Sequence, residues 1–440
     1  MLPVAFSLLV CQLLLAFALI PPWQQPDEPT HLARAEFQKN RLLAASGYGH
    51  PAREDEILIS MARYDFWVHR GMVTPATIPK NFEASGQYVA VPVLTVERPP
   101  AFSLVTGRVL SWLPRLTLIE DLYAMRVLSA ALAILTLFVA WLTAHRTLAP
   151  SAAAMIACLL ALHPQFAIIS AAATPDAMVN LLGACVWWQA ACGVADRRVL
   201  LALALMWTAA VAAAAVDRMG VPLVAVASIV SLVATVRRAS LRRPWMMFGT
   251  STAVFVILAL AALVAALAAF GGSYALGHVF AGGWAPVPGA ITWDRFVRFT
   301  WRLHEGWWYA LGWGRYPPPV WWSAISAALT LAAVVGVGRR LFGDAILDRR
   351  TRTLLVLAAI SIAIQLAAVY WTFFRMGRGA QGRYLFPFLV PSLILLWVGI
   401  EAWVPRSRRM YAAAALIFLF ALLDAAGWIL VVIPAYYASL

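Results

Sequence analysis

The chain has 440 residues, 62% of them hydrophobic and 12% charged, with a formal net charge of +14 and a mean hydropathy of +0.78. That apolarity lies far outside the range of soluble domains and predicts one lipid-embedded, all-α domain over residues 1–440. The positive charge does not point to nucleic acid: the basic residues sit in short loops between apolar runs, and all but Lys39 and Lys80 are arginine.

A span needs roughly 20 apolar residues. About eleven spans are predicted, near 2–20, 122–144, 151–173, 176–194, 198–216, 219–236, 245–270, 320–338, 353–373, 384–404 and 410–433. The first run lacks a basic n-region and ends in Ile20-Pro21-Pro22 rather than a small-x-small cleavage site, so a retained helix is predicted. Cys11, Cys158, Cys185 and Cys192 all fall inside apolar runs, which predicts buried free thiols and neither a disulfide framework nor a cysteine zinc site.

Every second loop carries arginine: Arg146; Arg197 and Arg198; Arg237, Arg238, Arg242 and Arg243; Arg339, Arg340, Arg349, Arg350 and Arg352; Arg406, Arg408 and Arg409. These loops are expected in the cytoplasm, with the N-terminus inside and the C-terminus outside. Two long segments, 21–121 and 271–319, then fall on the outer side. The proline-rich first one is predicted to form short helices on the membrane surface. The second carries Trp293, Trp301, Trp307, Trp308 and Trp313, which argues for packing at the interface. An elaborated outer face excludes direct use of cytoplasmic ATP or nucleotide-sugars, and no G-x-x-x-x-G-K-[ST] motif occurs.

Five polar stretches stand out. "PPWQQPDEPTHLARAEF", 21–37, places Asp27 and Glu28 between prolines just after a span. Asp27 suits either an N-cap or a rigidly held catalytic carboxylate. A helix starting at Glu28 would put Asp27, His31 and Arg34 on one face. Asp27, Glu28 and His31 could alternatively hold a divalent metal. "TVERPPAFSLV", 95–105, has a stiff Pro-Pro step that either presents Arg98 rigidly or makes a turn with a solvated charge pair.

"HPQFAIISAAATPDAMVN", 163–180, puts His163 inside a span, a kink at Pro164, and Asp176 as cap or functional carboxylate of the next span. "FFRMGRGAQGRYLFP", 373–387, sets Arg375, Arg378 and Arg383 in an outer connection where short loops should avoid arginine, so something must offset them. Glycines 377, 379 and 382 would let backbone approach a ligand, and arginine suits phosphate, either of a lipid-linked substrate or of ordinary anionic phospholipid. "HEGWWYALGWGRYPPPVWW", 304–322, reads as an aromatic belt or as a surface for a sugar or polyprenyl chain.

Taken in order, "PDEPTH", "RPP", "TPDAMVN", "GWWYALGWG" and "QGRYLFP" resemble the polytopic membrane family catalogued as domain of unknown function number 2142, within the GT-C glycosyltransferase superfamily. The matches run from about residue 21 to 390. The resemblance implies a GT-C-like fold with membrane-parallel helices in the first outer loop. It also implies transfer of a sugar from a polyprenyl-phosphate donor, with Asp27 as the catalytic carboxylate and Asp176 as a second one.

The expected enzyme is an inverting hexosyl or pentosyl transferase in a bacterial-type cytoplasmic membrane, with its active site outside. Asp27 would be the base, with Glu28 orienting it, binding the acceptor or facing water. Arg383, Arg378, Arg375 and Arg98 would bind donor phosphate. His31, Gln381, Tyr384, Trp307 and Trp308 would contact substrate. The expected partners are a polyprenyl-phosphate sugar, a glycan, lipid or protein acceptor, and membrane lipids. No cofactor is required in this reading, a divalent metal being the alternative. The competing readings are a lipid-linked sugar transporter or flippase, and a polyprenyl-diphosphate glycan polymerase or ligase.

Overall fold

Apolar runs of span length become helices, and ordinary capping chemistry sets their ends. Thr117 opens the Leu118–Thr147 helix with a capping box: its hydroxyl accepts the Glu120 N–H at 3.4 Å, and the Glu120 carboxylate accepts the Thr117 N–H at 2.7 Å. Thr292 accepts the Arg295 N–H at the start of the Trp293–Trp308 helix. The computed structural model describes residues 2–44, 53–78, 101–113, 116–195, 199–239, 292–343, 348–376 and 381–437.

Among the described residues, nine helices are long and apolar enough to cross a membrane, and they coincide with nine of the predicted spans. The predicted span at 151–173 is a bent pair of apolar helices. Pro150–Ala161 and Pro164–Ser170 meet at 61°. Pro164 lacks an N–H and so cannot extend the preceding helix, while His163 Nδ1 accepts the Phe166 N–H at 3.3 Å and caps the second piece. The predicted span near 245–270 lies outside the described residues. This is the architecture of an all-α polytopic membrane protein.

Small residues bring the helices together, as expected where lipid supplies no hydrophobic drive between them. A Cβ on Gly336 would lie 1.9 Å from the Gly399 carbonyl oxygen, so the Val320–Gly343 and Leu389–Glu401 helices touch backbone to backbone. Cys158 is buried, Cys185 and Cys192 are half-buried, and Cys11 is exposed; all four are free thiols. Cys11 departs from the buried expectation because an apolar run can face lipid as well as core.

The described part of the first long segment holds four helices, Glu28–Ala44, Glu54–Arg63, Phe66–His69 and Ala101–Ser111. Buried ions tie them to the Leu118–Thr147 helix: Lys39 Nζ reaches Asp121 at 2.6 Å and Glu36 at 3.4 Å, and Arg53 reaches Asp121 at 3.6 Å. The joins predicted to be external gather at one end of the bundle. Gln25 donates to the Ile168 carbonyl at 3.1 Å, and Ala310 N–H donates to Gln165 at 2.6 Å. The arginine-bearing joins gather elsewhere: Arg350 donates to the Arg146 carbonyl, and Glu401 takes both Arg340 and Arg409.

One clamp holds the first join. Glu28 is fully buried and accepts four hydrogen bonds: Arg126 Nε and Nη2 at 2.8 Å each, and the Trp23 and Ala173 N–H groups at 3.1 Å each. Arg126 also donates to the carbonyls of Ile20 and Pro21 at 3.1 Å. Breaking a buried pair from one side strands a charge, which costs about 3–5 kcal/mol. Glu28→Leu or Arg126→Leu is therefore expected to lower the thermal unfolding temperature of the detergent-solubilised protein sharply. The double variant should recover only part of the loss, because the Trp23 and Ala173 N–H groups stay without an acceptor.

Candidate functional site

The site forms where the Gly382–Phe388 turn meets the Trp293–Trp308 helix. A Cβ on Gly382 would lie 1.8 Å from the Trp307 nitrogen, and one on Gly306 would lie 2.7 Å from the Gly382 nitrogen. Only glycine permits this approach. Gly183 plays the same part on the other side, since a Cβ there would lie 2.2 Å from the Pro387 carbonyl oxygen. The turn is thus pressed between two helices, and the next residue, Arg383, is carried between two carboxylates.

Arg383 donates from Nη2 to Asp27 at 2.8 Å, from Nη1 to Asp176 at 2.7 Å and from Nε to Gln381 at 2.7 Å. Its guanidinium stands 5.5 Å from the Tyr384 ring centroid. The side chains are 7% exposed for Arg383, 13% for Asp176 and 49% for Asp27. Asp27 is therefore the open member of the trio.

Neither aspartate acts as a plain helix cap. Asp27 has a φ of 61°, in the left-handed region, whereas an N-cap is extended. Its backbone carbonyl accepts the His31 N–H while its carboxylate goes to Arg383. The Asp176 helix is opened by the Pro175 carbonyl, which accepts from Met178 and Val179. Asp176 sits one residue further in and takes the Thr174 hydroxyl at 3.2 Å as well as Arg383.

Burial pushes the Asp27 carboxyl up, but the charges around it, Arg383 first among them, more than offset this and leave its pKa below the ordinary value. His31, on the same helix, is driven down to about 3 by burial, with Arg34 and Arg383 adding to the effect against the pull of Asp27. Asp27 is thus an anion and His31 a neutral imidazole at neutral pH. The His31 ring meets Phe102 edge-on, with centroids 5.9 Å apart.

The other predicted site residues divide. Glu28 is adjacent in sequence to Asp27 but committed to Arg126, so it holds structure and reaches no ligand. The Asp27, Glu28 and His31 metal set is not assembled. Among the described residues no three His, Cys, Asp or Glu side chains gather to hold a metal. Trp308 is buried and donates to Thr330 at 3.2 Å, with the His163 ring stacked 5.9 Å away; it is core, not a ligand surface. Trp307 is half-buried and meets His163 edge-on at 4.7 Å. Arg98, Arg378 and the Arg375 side chain lie outside the described residues.

A cleft of about 150 Å³ opens beside the trio, walled by Pro26, Arg302, Glu305, Tyr309, Gln381 and Arg383 among others. Two contributors were not singled out from sequence. Asp217, whose carboxylate accepts the Met219 N–H at 2.9 Å, lies in the field of Asp176 and Arg383; burial raises its pKa. Its signal was an acid in a very tight outer join. Arg302, on the cleft wall, was hidden among the many arginines of the chain. No family model matches the chain, and no curated protein or solved structure matches it.

Below about pH 6.5 the unfolded chain protonates His31, while the folded protein does not until about 3. His31 therefore contributes stability that is complete above about pH 6.5 and is lost on acidification. The unfolding temperature measured from pH 7 to pH 4 should fall less steeply in His31→Gln than in wild type. Gly382→Ala is expected to lower folded yield and melting temperature strongly. Gly338→Ala, whose Cβ meets nothing within 4 Å, should leave melting temperature within about 2 °C.

Proposed function

We propose that this chain is a membrane glycosyltransferase of GT-C-like architecture. It moves a sugar from a polyprenyl-phosphate donor to an acceptor hydroxyl at the end of the bundle away from the cytoplasm. The observation that carries the reading is Asp27: an ionised, half-exposed carboxylate held in left-handed backbone at the end of a membrane bundle, fixed by a buried arginine beside a cleft.

In this mechanism the acceptor oxygen attacks the anomeric carbon and its proton passes to Asp27. The bond to the phosphate oxygen breaks, its electron pair leaves with the phosphate, and attack from the opposite face inverts the anomeric centre. General base catalysis is worth roughly 10²–10⁴-fold. Arg383 fixes the Asp27 carboxylate through one nitrogen, and Asp176 fixes Arg383 in turn. Positive charge on the cleft wall offsets the charge growing on the departing phosphate. One carboxylate at the attacking oxygen, with none needed at the leaving phosphate, separates this chemistry from that of ordinary glycosidases.

The broken span at His163 favours a second reading, movement of a lipid-linked sugar without chemistry, since broken helices line many transport paths. Here Trp307, Trp308, Phe386 and Phe420 pack around His163 at the break, which supports the enzyme reading over the transporter.

The test compares wild type and Asp27→Asn in membranes supplied with radiolabelled polyprenyl-phosphate sugars and a crude envelope acceptor, donor binding being measured separately. Asp27→Asn should lose transfer by roughly 10²-fold or more while keeping donor binding. Normal transfer by Asp27→Asn would remove the aspartate from the mechanism. Passage of lipid-linked sugar across the bilayer with no transfer by any form would establish the transporter.

A further inference from the structure

Three arginines, Arg295, Arg298 and Arg302, follow one another along the Trp293–Trp308 helix at spacings of three and four residues, on one face. Their situations differ. Arg298 pairs with Asp294, one turn back. Arg295 lies over the Phe373 ring, 5.5 Å from its centroid. Arg302 is exposed, and among the described residues no carboxylate pairs with it. It is also the one of the three that lines the cleft.

Arg383, the other cation on that wall, is differently placed. Three of its five N–H donors already serve Asp27, Asp176 and Gln381. An anion entering the cleft would have to displace or share those bonds to be gripped by Arg383. Arg302 carries a full guanidinium fork with no such commitment, the geometry that suits a phosphate oxygen pair. Glu305 shares the wall, but its Oε1 accepts both the Trp301 indole N–H at 2.7 Å and the Ser323 hydroxyl at 3.1 Å, which disperses its charge.

We infer that the cleft is a phosphate subsite and that Arg302 is its principal binding residue, with Arg383 acting chiefly to position Asp27. The inference rests on the glycosyltransferase reading for its place in the reaction, and on the cleft and its unpaired guanidinium for the ligand chemistry. At about 150 Å³ the cleft is smaller than the roughly 300–1,000 Å³ of sites that enclose a whole small molecule. It therefore takes a head group, leaving any lipid chain outside. The exposed Trp301 and Trp293 on the same helix offer apolar surface for such a chain at the membrane boundary.

The experiment uses the full chain in phosphatidylcholine nanodiscs and measures equilibrium binding of radiolabelled farnesyl phosphate. Competitors are unlabelled farnesyl phosphate, farnesol and inorganic phosphate, and the variants are Arg302→Ala and Arg298→Ala. Arg302→Ala should weaken farnesyl phosphate binding about tenfold or more, the scale of losing a charge-assisted bond. Arg298→Ala should stay within about twofold, and farnesol should not compete. Inorganic phosphate competing as well as the farnesyl ester would assign the same site to soluble phosphates; competition only by the ester would assign it to lipid phosphates. Binding by Arg302→Ala equal to wild type, or competition by farnesol as strong as by the ester, would overturn the inference. Binding is read without turnover, so loss of binding in Arg302→Ala with no transfer by any form would uphold the phosphate site and sink the transferase. Transfer lost only in Asp27→Asn, with binding intact in Arg302→Ala, would do the reverse.

Discussion

The structure of the site depends on a buried ion pair that takes no part in it. Arg126 and Glu28 are both shielded from solvent, and four hydrogen bonds converge on the Glu28 carboxylate. Moving two charges out of water is costly, and the pair is tolerable only because its lone pairs and protons are so fully used. The result is geometric: the chain leaving the first span is tied to the Leu118–Thr147 helix and to the turn before the Asp176–Ala195 helix. Trp23 and Asp27 both take left-handed backbone within this short stretch, at φ values of 72° and 61°. Such conformations persist where the surroundings over-determine them.

That constraint separates two acids that stand side by side. Glu28 is drawn inward and saturated, whereas Asp27 is half exposed, ionised and held from outside by Arg383. Two carboxylates in one dipeptide thus divide between a buried anchor and a half-exposed anion, and what distinguishes them is the partner each meets. Arg383 is delivered to its place by glycine contacts on both flanks of its turn, at Gly306 and Gly183. The carboxylates it joins lie 207 and 356 residues away in sequence. A single guanidinium therefore couples the join after the first span, the start of the Asp176–Ala195 helix and the Gly382–Phe388 turn.

Arg383 stands in a connection that the arginine pattern predicts to be external, where arginine opposes that pattern, and its two aspartate partners account for it. It is a paired internal charge rather than a free surface one, so its cost in that location is offset locally. The aromatic residues in and just after the Trp293–Trp308 helix divide in the same way. Trp308 and Tyr309 are buried, with the Tyr309 hydroxyl donating to the Gly427 carbonyl, while Trp301 faces outward. A belt and a core draw on the same residue types, and only packing tells them apart.

From its sequence alone this chain determined an all-α membrane architecture, the positions of nine helices of span length and of one bent apolar pair within the described residues, the break at Pro164 and the gathering of the polar joins at one end. Those follow from local rules: span length against bilayer thickness, the missing N–H of proline, and alternation of arginine-bearing loops. Asp27, Asp176 and Arg383 were visible as anomalies because charge at a membrane edge is expensive wherever it occurs. Only the tertiary structure decided that these three meet, that Glu28 answers to Arg126 instead, that Trp308 is core, and that Arg302 rather than Arg295 or Arg298 faces the cleft. Pairing partners lie in distant segments, and the composition of a membrane chain carries little record of which of its many arginines will find a carboxylate.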